Sequence, residues 1–125
     1  MSGPEQILAR LQALAAAQNA YRPEAYLFLM EALERTLTSA GEHRHVTGGE
    51  LLEGVKSLAR ERFGPMARDV FNAWGVLGTL DFGKIVFQLV DAGLLRKTPE
   101  DSLDDFADKY DFQQVFEEHY FGDRS

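Results

Sequence analysis

Apolar residues recur every three to four positions along most of this chain, which is the spacing of one face of an α-helix. The first segment, PEQILARLQALAAAQ, has a narrow apolar stripe at Ile7, Leu11 and Leu14. It predicts a helix that covers the domain from outside. A second helix is predicted from Pro23 to Gly41. Its first half, AYLFLM, is apolar at consecutive positions, so we expect that half to be covered on most sides.

The segment VTGGELLEGV predicts the start of a third helix. Thr47 and Glu50 stand at the spacing of a capping box, and Val46 and Leu51 flank them as a hydrophobic staple. A short helix in MARDVFNAWG and a strongly apolar one in TLDFGKIVFQLVD follow. The β-branched residues of the last segment also fit a strand. Asp81 in a first helical turn favours a helix, which we expect to be the buried central element.

These elements predict an all-α fold, a single compact domain of five to six helices. Their order resembles a helix-turn-helix or winged-helix core, which is one arrangement the domain could take. Residues 1–18 are expected to form a covering helix and residues 21–97 a helical core. Residues 98–125 are expected to form an acidic, aromatic-rich helical C-terminal region.

The negative charge of the chain is confined to this C-terminal region. Residues 98–125 hold nine of the 20 acidic residues and two of the 13 basic ones, so this region has a net charge of −7. The first 97 residues hold 11 of each and are neutral. Several of the carboxylates are spaced three and four apart, which predicts a helix face: Asp101, Asp104, Asp105, Asp108 and Asp111. The many interspersed aromatic residues predict an ordered segment with its carboxylates outward.

Aromatic residues flanked by charge are typical of protein-binding surfaces. The candidate partner-binding residues are therefore Asp104, Asp105, Asp108, Tyr110, Tyr120 and Phe121. Aromatic residues that only attach the segment to its own core would give the same pattern. A homodimer through the N-terminal helix is a second way in which the chain could use a protein partner.

Composition excludes several classes of protein. The chain has no cysteine, which rules out disulfides and thiolate chemistry. No apolar run approaches the roughly 20 residues of a membrane span, and the first residues lack the pattern of a signal peptide. We therefore expect a soluble cytoplasmic protein without membrane contact.

Nucleic-acid binding is the weakest hypothesis. The densest basic cluster, Lys56, Arg60 and Arg62, is interleaved with glutamates, as on a solvated helix face with local ion pairs. In a helix-turn-helix core the recognition helix would begin at Thr79, where Lys84 is its only base. A net charge of −7 also opposes phosphate binding.

Metal or small-molecule binding is an alternative hypothesis. His43 and His45, beside Glu42, are the weak candidates for metal ligands, and His119 would have to approach them through folding. A pocket near His43 and His45 would serve a small-molecule binder or an enzyme. No catalytic residue and no cofactor are predicted, since the chain has neither a Gly-x-Ser-x-Gly elbow nor a phosphate-binding loop.

Several segments, including RHVTGGELLEGV, FGPMA, DFG, IVFQLVDAGLL, KTPEDS and YDF, together resemble a small bacterial family of uncharacterised function, over roughly residues 21 to 121. The resemblance implies a stand-alone bacterial protein and carries no activity, substrate or cofactor. The leading hypothesis is a non-enzymatic protein-interaction module of the bacterial cytoplasm that docks through its acidic C-terminal region.

Overall fold

Five α-helices form the body of the protein in the computed structural model, which describes residues 4–40, 46–96 and 101–118. They are α1 (Pro4–Gln18), α2 (Pro23–Ala40), α3 (Gly48–Phe63), α4 (Ala67–Ala73) and α5 (Thr79–Asp91). Two short 3₁₀ turns (Gly64–Met66 and Leu103–Phe106) and a π-helical turn (Gln113–Glu118) complete the described helical structure. The described residues contain no strand, so the predicted all-α, single-domain fold is confirmed and the KIVFQLV segment is helical.

The start of α3 follows the predicted capping box. The Thr47 hydroxyl accepts the backbone N–H of Glu50 at 3.2 Å, and the Glu50 carboxylate accepts the backbone N–H of Thr47 at 3.0 Å. These two bonds satisfy backbone donors that a helix start leaves without partners. The helix ends at Phe63, where Gly64 takes a φ of 55° that favours glycine.

Helix α5 is buried along one face, whereas Val86, Phe87 and Val90 are only half-buried, so the expectation of a buried central element is met only in part. Phe82, Ile85 and Leu89 are fully buried. Its cap is Gly78, whose backbone N–H, like that of Leu77, donates to the Asp81 carboxylate. A carboxylate here is also favoured by the helix dipole.

An aromatic cluster fills the space between α5 and the short helix α4. Phe71 of α4 is fully buried, and six aromatic rings lie with their centroids 5.1–6.4 Å from its own. They are Phe28, Phe63, Trp74, Phe82, Phe112 and Phe116. Phe71 thus joins α2, α3, α5 and the C-terminal segment in one core.

Helix α1 packs on the outside of this body through a narrow stripe. Leu11 and Ala15 are buried, while Ile7 and Leu8 are each 38% exposed. The Arg10 guanidinium donates to the carbonyl oxygen of Ala92 at 2.8 Å and so connects α1 to the end of α5.

Between residues 101 and 118 aromatic residues attach the chain to the core, but the predicted helix face of carboxylates is wrong there. Phe106, Phe112 and Phe116 are buried against the core. Between residues 101 and 118 the backbone forms two separate short turns, and Asp108 interrupts them with a φ of 47°. The acidic residues start new turns instead of continuing one helix, because short carboxylates compete for backbone N–H groups.

Candidate functional site

The predicted site residues fall into two groups. Asp104, Asp105, Asp108 and Tyr110 lie within the described part of the chain. The remaining candidates, His43, His45, His119, Tyr120 and Phe121, lie outside the described residues. Among the residues that are described, no group of three or more histidine, aspartate or glutamate side chains could hold a metal ion.

Two of the candidate carboxylates are exposed, and the third has a structural role. Asp104 and Asp108 are exposed. The Asp105 carboxylate accepts the backbone N–H of Ser102 at 3.0 Å and closes the capping box of the 3₁₀ turn. Asp111 accepts the backbone N–H of Gln114 at 3.1 Å and so caps the turn that follows it. Part of the acidic block therefore shapes its own backbone.

Tyr110 attaches the C-terminal segment to α3. Its hydroxyl donates to the carbonyl oxygen of Leu52 at 2.6 Å, and the Lys56 ammonium lies 5.2 Å from its ring centroid. Burial, and to a smaller extent the charge of Glu53, raises the pKa of Tyr110 above its ordinary value. These contacts are the ones expected under the alternative hypothesis, in which the aromatic residue only attaches the segment to its own core.

The basic cluster of α3 is engaged within the protein. Lys56 lies 3.1 Å from Glu53, the local pair that the sequence predicts. Arg62 instead pairs with Glu31 of α2, and the Arg60 guanidinium donates twice to the carbonyl oxygen of Val115, at 2.9 and 3.2 Å. Only Lys56 makes the expected local pair. Arg62 and Arg60 instead find partners on α2 and on the C-terminal segment, which pack against α3.

An apolar groove of about 610 Å³ runs along the outer face of α2. We call it the α1/α2 groove, and its apolar lining consists of Ile7, Leu27, Met30, Leu33 and Leu37. Four of the six apolar residues in the first half of α2 are buried, so that half is covered on most sides as expected, and Leu27, which is 40% exposed, is the exception.

The position of α1 leaves the groove open. The buried stripe of α1 passes through Leu11 and Ala15, which leaves Ile7 at one edge of the groove with part of its surface in water. The spacing of Leu27, Met30, Leu33 and Leu37 was the sequence signal for this surface. It was hidden because the neighbouring Tyr26 and Leu29 are apolar as well.

The rim of the α1/α2 groove is acidic. Glu31 and Glu34 line it. The hydrogen bond from Arg62 holds the pKa of the Glu31 carboxyl below its usual range, so Glu31 stays ionised. Glu34 is exposed. The groove therefore combines an apolar lining with the exposed carboxylate of Glu34, beside a Glu31 carboxylate whose charge is paired with Arg62.

A second concavity lies between α2, α3 and α5. This α2/α3/α5 pocket has a volume of about 180 Å³. Val46 and Thr47, which directly follow the His43–His45 segment, line one side of it. The opposite side is formed by Val86 and Phe87 of α5.

In comparisons with known proteins, no family model, curated protein or solved structure matches this chain. In the described ranges, no helix has both the length and the apolar character needed to cross a lipid bilayer. The site must therefore be interpreted from its own geometry.

Proposed function

We propose that this chain is a non-enzymatic protein-interaction module whose α1/α2 groove binds a basic amphipathic helix of another protein. The observation that carries the proposal is the partly exposed apolar row of α2, edged by Glu31 and Glu34. Grooves of this kind receive helices that present apolar residues at i, i+3 or i+4, and i+7.

The length of the row suits a short helix. Leu27 and Leu37 are ten residues apart, which corresponds to about 15 Å along a helix axis. A partner helix of about three turns would cover that distance. Its three or four apolar anchors would lie on the side chains from Leu27 to Leu37.

Charge selects the class of partner. A helix with lysine or arginine beside its apolar stripe would place a cation near Glu34, next to the Glu31–Arg62 ion pair. A second copy of this chain would instead bring two Glu34 carboxylates together, on molecules that each carry a net charge of −7. Like charges across an interface disfavour association, so a basic partner fits the groove better than a second copy.

The remaining parts of the proposal come from the sequence. A cytoplasmic location suits a chain without cysteine, and a bacterial origin rests on the family resemblance. The exposed Asp104 and Asp108 would add long-range attraction for the same basic partner. Docking through Tyr120 and Phe121 stays a prediction.

The test uses a fluorescent model peptide of about 18 residues with leucines at helical i, i+3, i+4 and i+7 spacing and lysines elsewhere. A matched peptide carries glutamate in place of lysine. We expect saturable binding of the lysine peptide alone, measured by fluorescence anisotropy at about 0.15 M salt. Leu27→Asp should raise the Kd at least tenfold.

Leu77→Asp is the matched control, since Leu77 is 73% exposed and lies outside the groove. It should change the Kd less than twofold. Glu34→Lys should weaken binding, whereas Asp69→Lys, at an exposed position on α4, should not. Equal binding by L27D and the unchanged chain would refute the groove as the site. A dimer in sedimentation velocity that L27D dissolves would assign the groove to a second copy instead.

A further inference from the structure

The α2/α3/α5 pocket has an apolar lining drawn from three helices and the segment after α5. Its apolar side chains are Leu33, Leu37, Val46, Leu51, Val86, Phe87, Leu95 and Phe106. Leu51 and Phe106 are buried, while Val86, Phe87 and Leu95 are half-buried. A concave apolar surface with a few polar groups at one side is the usual form of a small-molecule site.

The volume limits the size of a ligand. An apolar cavity of about 150 Å³ in a protein core accepts benzene. A pocket of about 180 Å³ therefore has room for a ligand of one aromatic ring, or two small fused rings, with a short substituent. A peptide, a nucleotide or a long acyl chain would not fit wholly inside it.

The polar groups at the pocket limit the charge of a ligand. Arg96 lies on its border with two carboxylates, Asp101 and Asp105. Arg96 is exposed, and the Asp105 carboxylate already accepts the backbone N–H of Ser102. A ligand carboxylate would meet two like charges and a ligand ammonium would meet Arg96. A neutral hydroxyl or N–H group can pair with either sign without that repulsion.

We infer that the α2/α3/α5 pocket binds a small, neutral, aromatic or branched aliphatic molecule with one hydroxyl or N–H group. Its apolar part lies between Leu51 and Val86, and its polar group lies at the charged border. Leu33 and Leu37 line both the pocket and the α1/α2 groove, but Val86 lines only the pocket, so a substitution there tests this inference separately from the proposed protein-binding function.

The experiment titrates the full chain with indole and p-cresol, and with benzoate and benzylamine as charged counterparts of similar size. Binding is followed by methyl chemical shifts in two-dimensional NMR. We expect the neutral compounds to bind with a Kd below about 1 mM. The methyl signals of Leu33, Leu37, Val46, Leu51, Val86 and Leu95 should shift together. The charged compounds should bind at least tenfold more weakly.

A matched pair of substitutions on α5 locates the site. Val86→Phe adds a ring inside the pocket and should abolish binding of indole and p-cresol. Val90→Phe makes the same change one turn along α5, at a half-buried position outside the pocket, and should leave the Kd unchanged within twofold.

The methyl shifts of the unsubstituted chain decide the outcome even if V86F fails to fold. The absence of saturable shifts up to the solubility of indole would overturn the inference, as would shifts confined to Leu27 and Met30. Stronger binding of benzoate or benzylamine would overturn the assignment of a neutral ligand. None of these results would change the peptide binding that tests the proposed function.

Discussion

The Thr79 hydroxyl donates to the carbonyl oxygen of Phe106, 2.5 Å away, and accepts the backbone N–H of Lys109 at 3.1 Å. Thr79 is 2% exposed, so its bond to Phe106 is buried, while the bond from Lys109 is partly buried. One buried side chain at the start of α5 thus satisfies two backbone groups of the C-terminal segment. This contact joins residues that are 27 and 30 positions apart.

Thr79→Val should destabilise the protein by about 1–3 kcal/mol, because it leaves the Phe106 carbonyl and the Lys109 N–H without their partner. Thr79→Ser keeps the hydroxyl and should recover a large part of this loss. Urea unfolding followed by circular dichroism measures both. The control is Thr38→Val at an exposed position of α2, with an expected change within about 0.5 kcal/mol. A T79V protein as stable as T38V would show that the two bonds contribute nothing.

Gly83 is required where α5 meets Phe106. A Cβ atom at this position would lie 2.7 Å from both Cβ and Cγ of Phe106. Gly83→Ala should therefore cost about 1–3 kcal/mol through overpacking, although alanine is the better helix former. Gly49→Ala in the first turn of α3 meets nothing within 4 Å and should be neutral or stabilise by up to about 1 kcal/mol. The melting temperature should fall for G83A and should stay the same or rise for G49A. A stabilised G83A would contradict the close packing.

The helices could be predicted because their signals are local. The Thr47–Glu50 capping box and the Asp81 carboxylate are each defined within a few residues, and both are found in the structure. The central role of Phe71 could not be derived in the same way, since its partners lie on α2, α3, α5 and the C-terminal segment. Hydrophobic periodicity shows which face of a helix is buried, but it does not show which other elements that face packs against.

In the acidic C-terminal segment, the spacing of the carboxylates alone led to a wrong prediction of a continuous helix face. Carboxylates three and four apart fit a continuous helix face, but they also fit successive capping turns, and Asp105 and Asp111 have the capping role. The α1/α2 groove was missed for a related reason. Leu27 is one of six consecutive apolar residues of α2, and only the position of α1 determines which of them is left exposed.

Alkaline pH should unfold this protein through its buried tyrosines. Burial is the main cause that raises the pKa of Tyr110, Tyr21 and Tyr26 above the ordinary tyrosine value of 10.0. The Asp81 carboxylate, which accepts the Tyr21 hydroxyl, raises the pKa of Tyr21 further. Above pH 10 the unfolded chain loses protons that the folded chain retains, so the free energy of unfolding falls as pH rises. For Tyr110 the fall approaches about 1.4 kcal/mol per pH unit.

Urea unfolding between pH 8 and pH 11 measures this dependence. Tyr110→Phe should cost about 1 kcal/mol at pH 8, through the lost hydrogen bond to Leu52, and should make the alkaline decline less steep. The absorbance of tyrosinate near 295 nm shows the protonation state directly. If all four tyrosines of the folded chain ionised together near pH 10, the burial argument would be wrong.

Arg60 is expected to hold the end of the described C-terminal segment. Its guanidinium donates from two nitrogens to the carbonyl oxygen of Val115, and charged hydrogen bonds of this kind contribute about 1.5–3 kcal/mol. Arg60→Met should therefore destabilise the segment by about 1–2 kcal/mol, since the bond is only partly buried. Amide hydrogen exchange should accelerate from Phe112 to Glu117 and stay unchanged in α2. Arg60→Lys retains one donor group, so its stability and its exchange rates should lie between those of R60M and the unchanged chain.

Arg22→Met is the matched control for this change. Arg22 is exposed and lies 3.6 Å from Glu24, so its loss should alter stability by less than about 0.5 kcal/mol and leave the exchange of the C-terminal amides unaltered. Equal exchange rates in R60M and R22M would mean that Phe112 and Phe116 hold the segment without help from Arg60. Faster exchange in R60M alone, from Phe112 onward, would identify the Val115 carbonyl as the point where α3 fixes the acidic segment to the core.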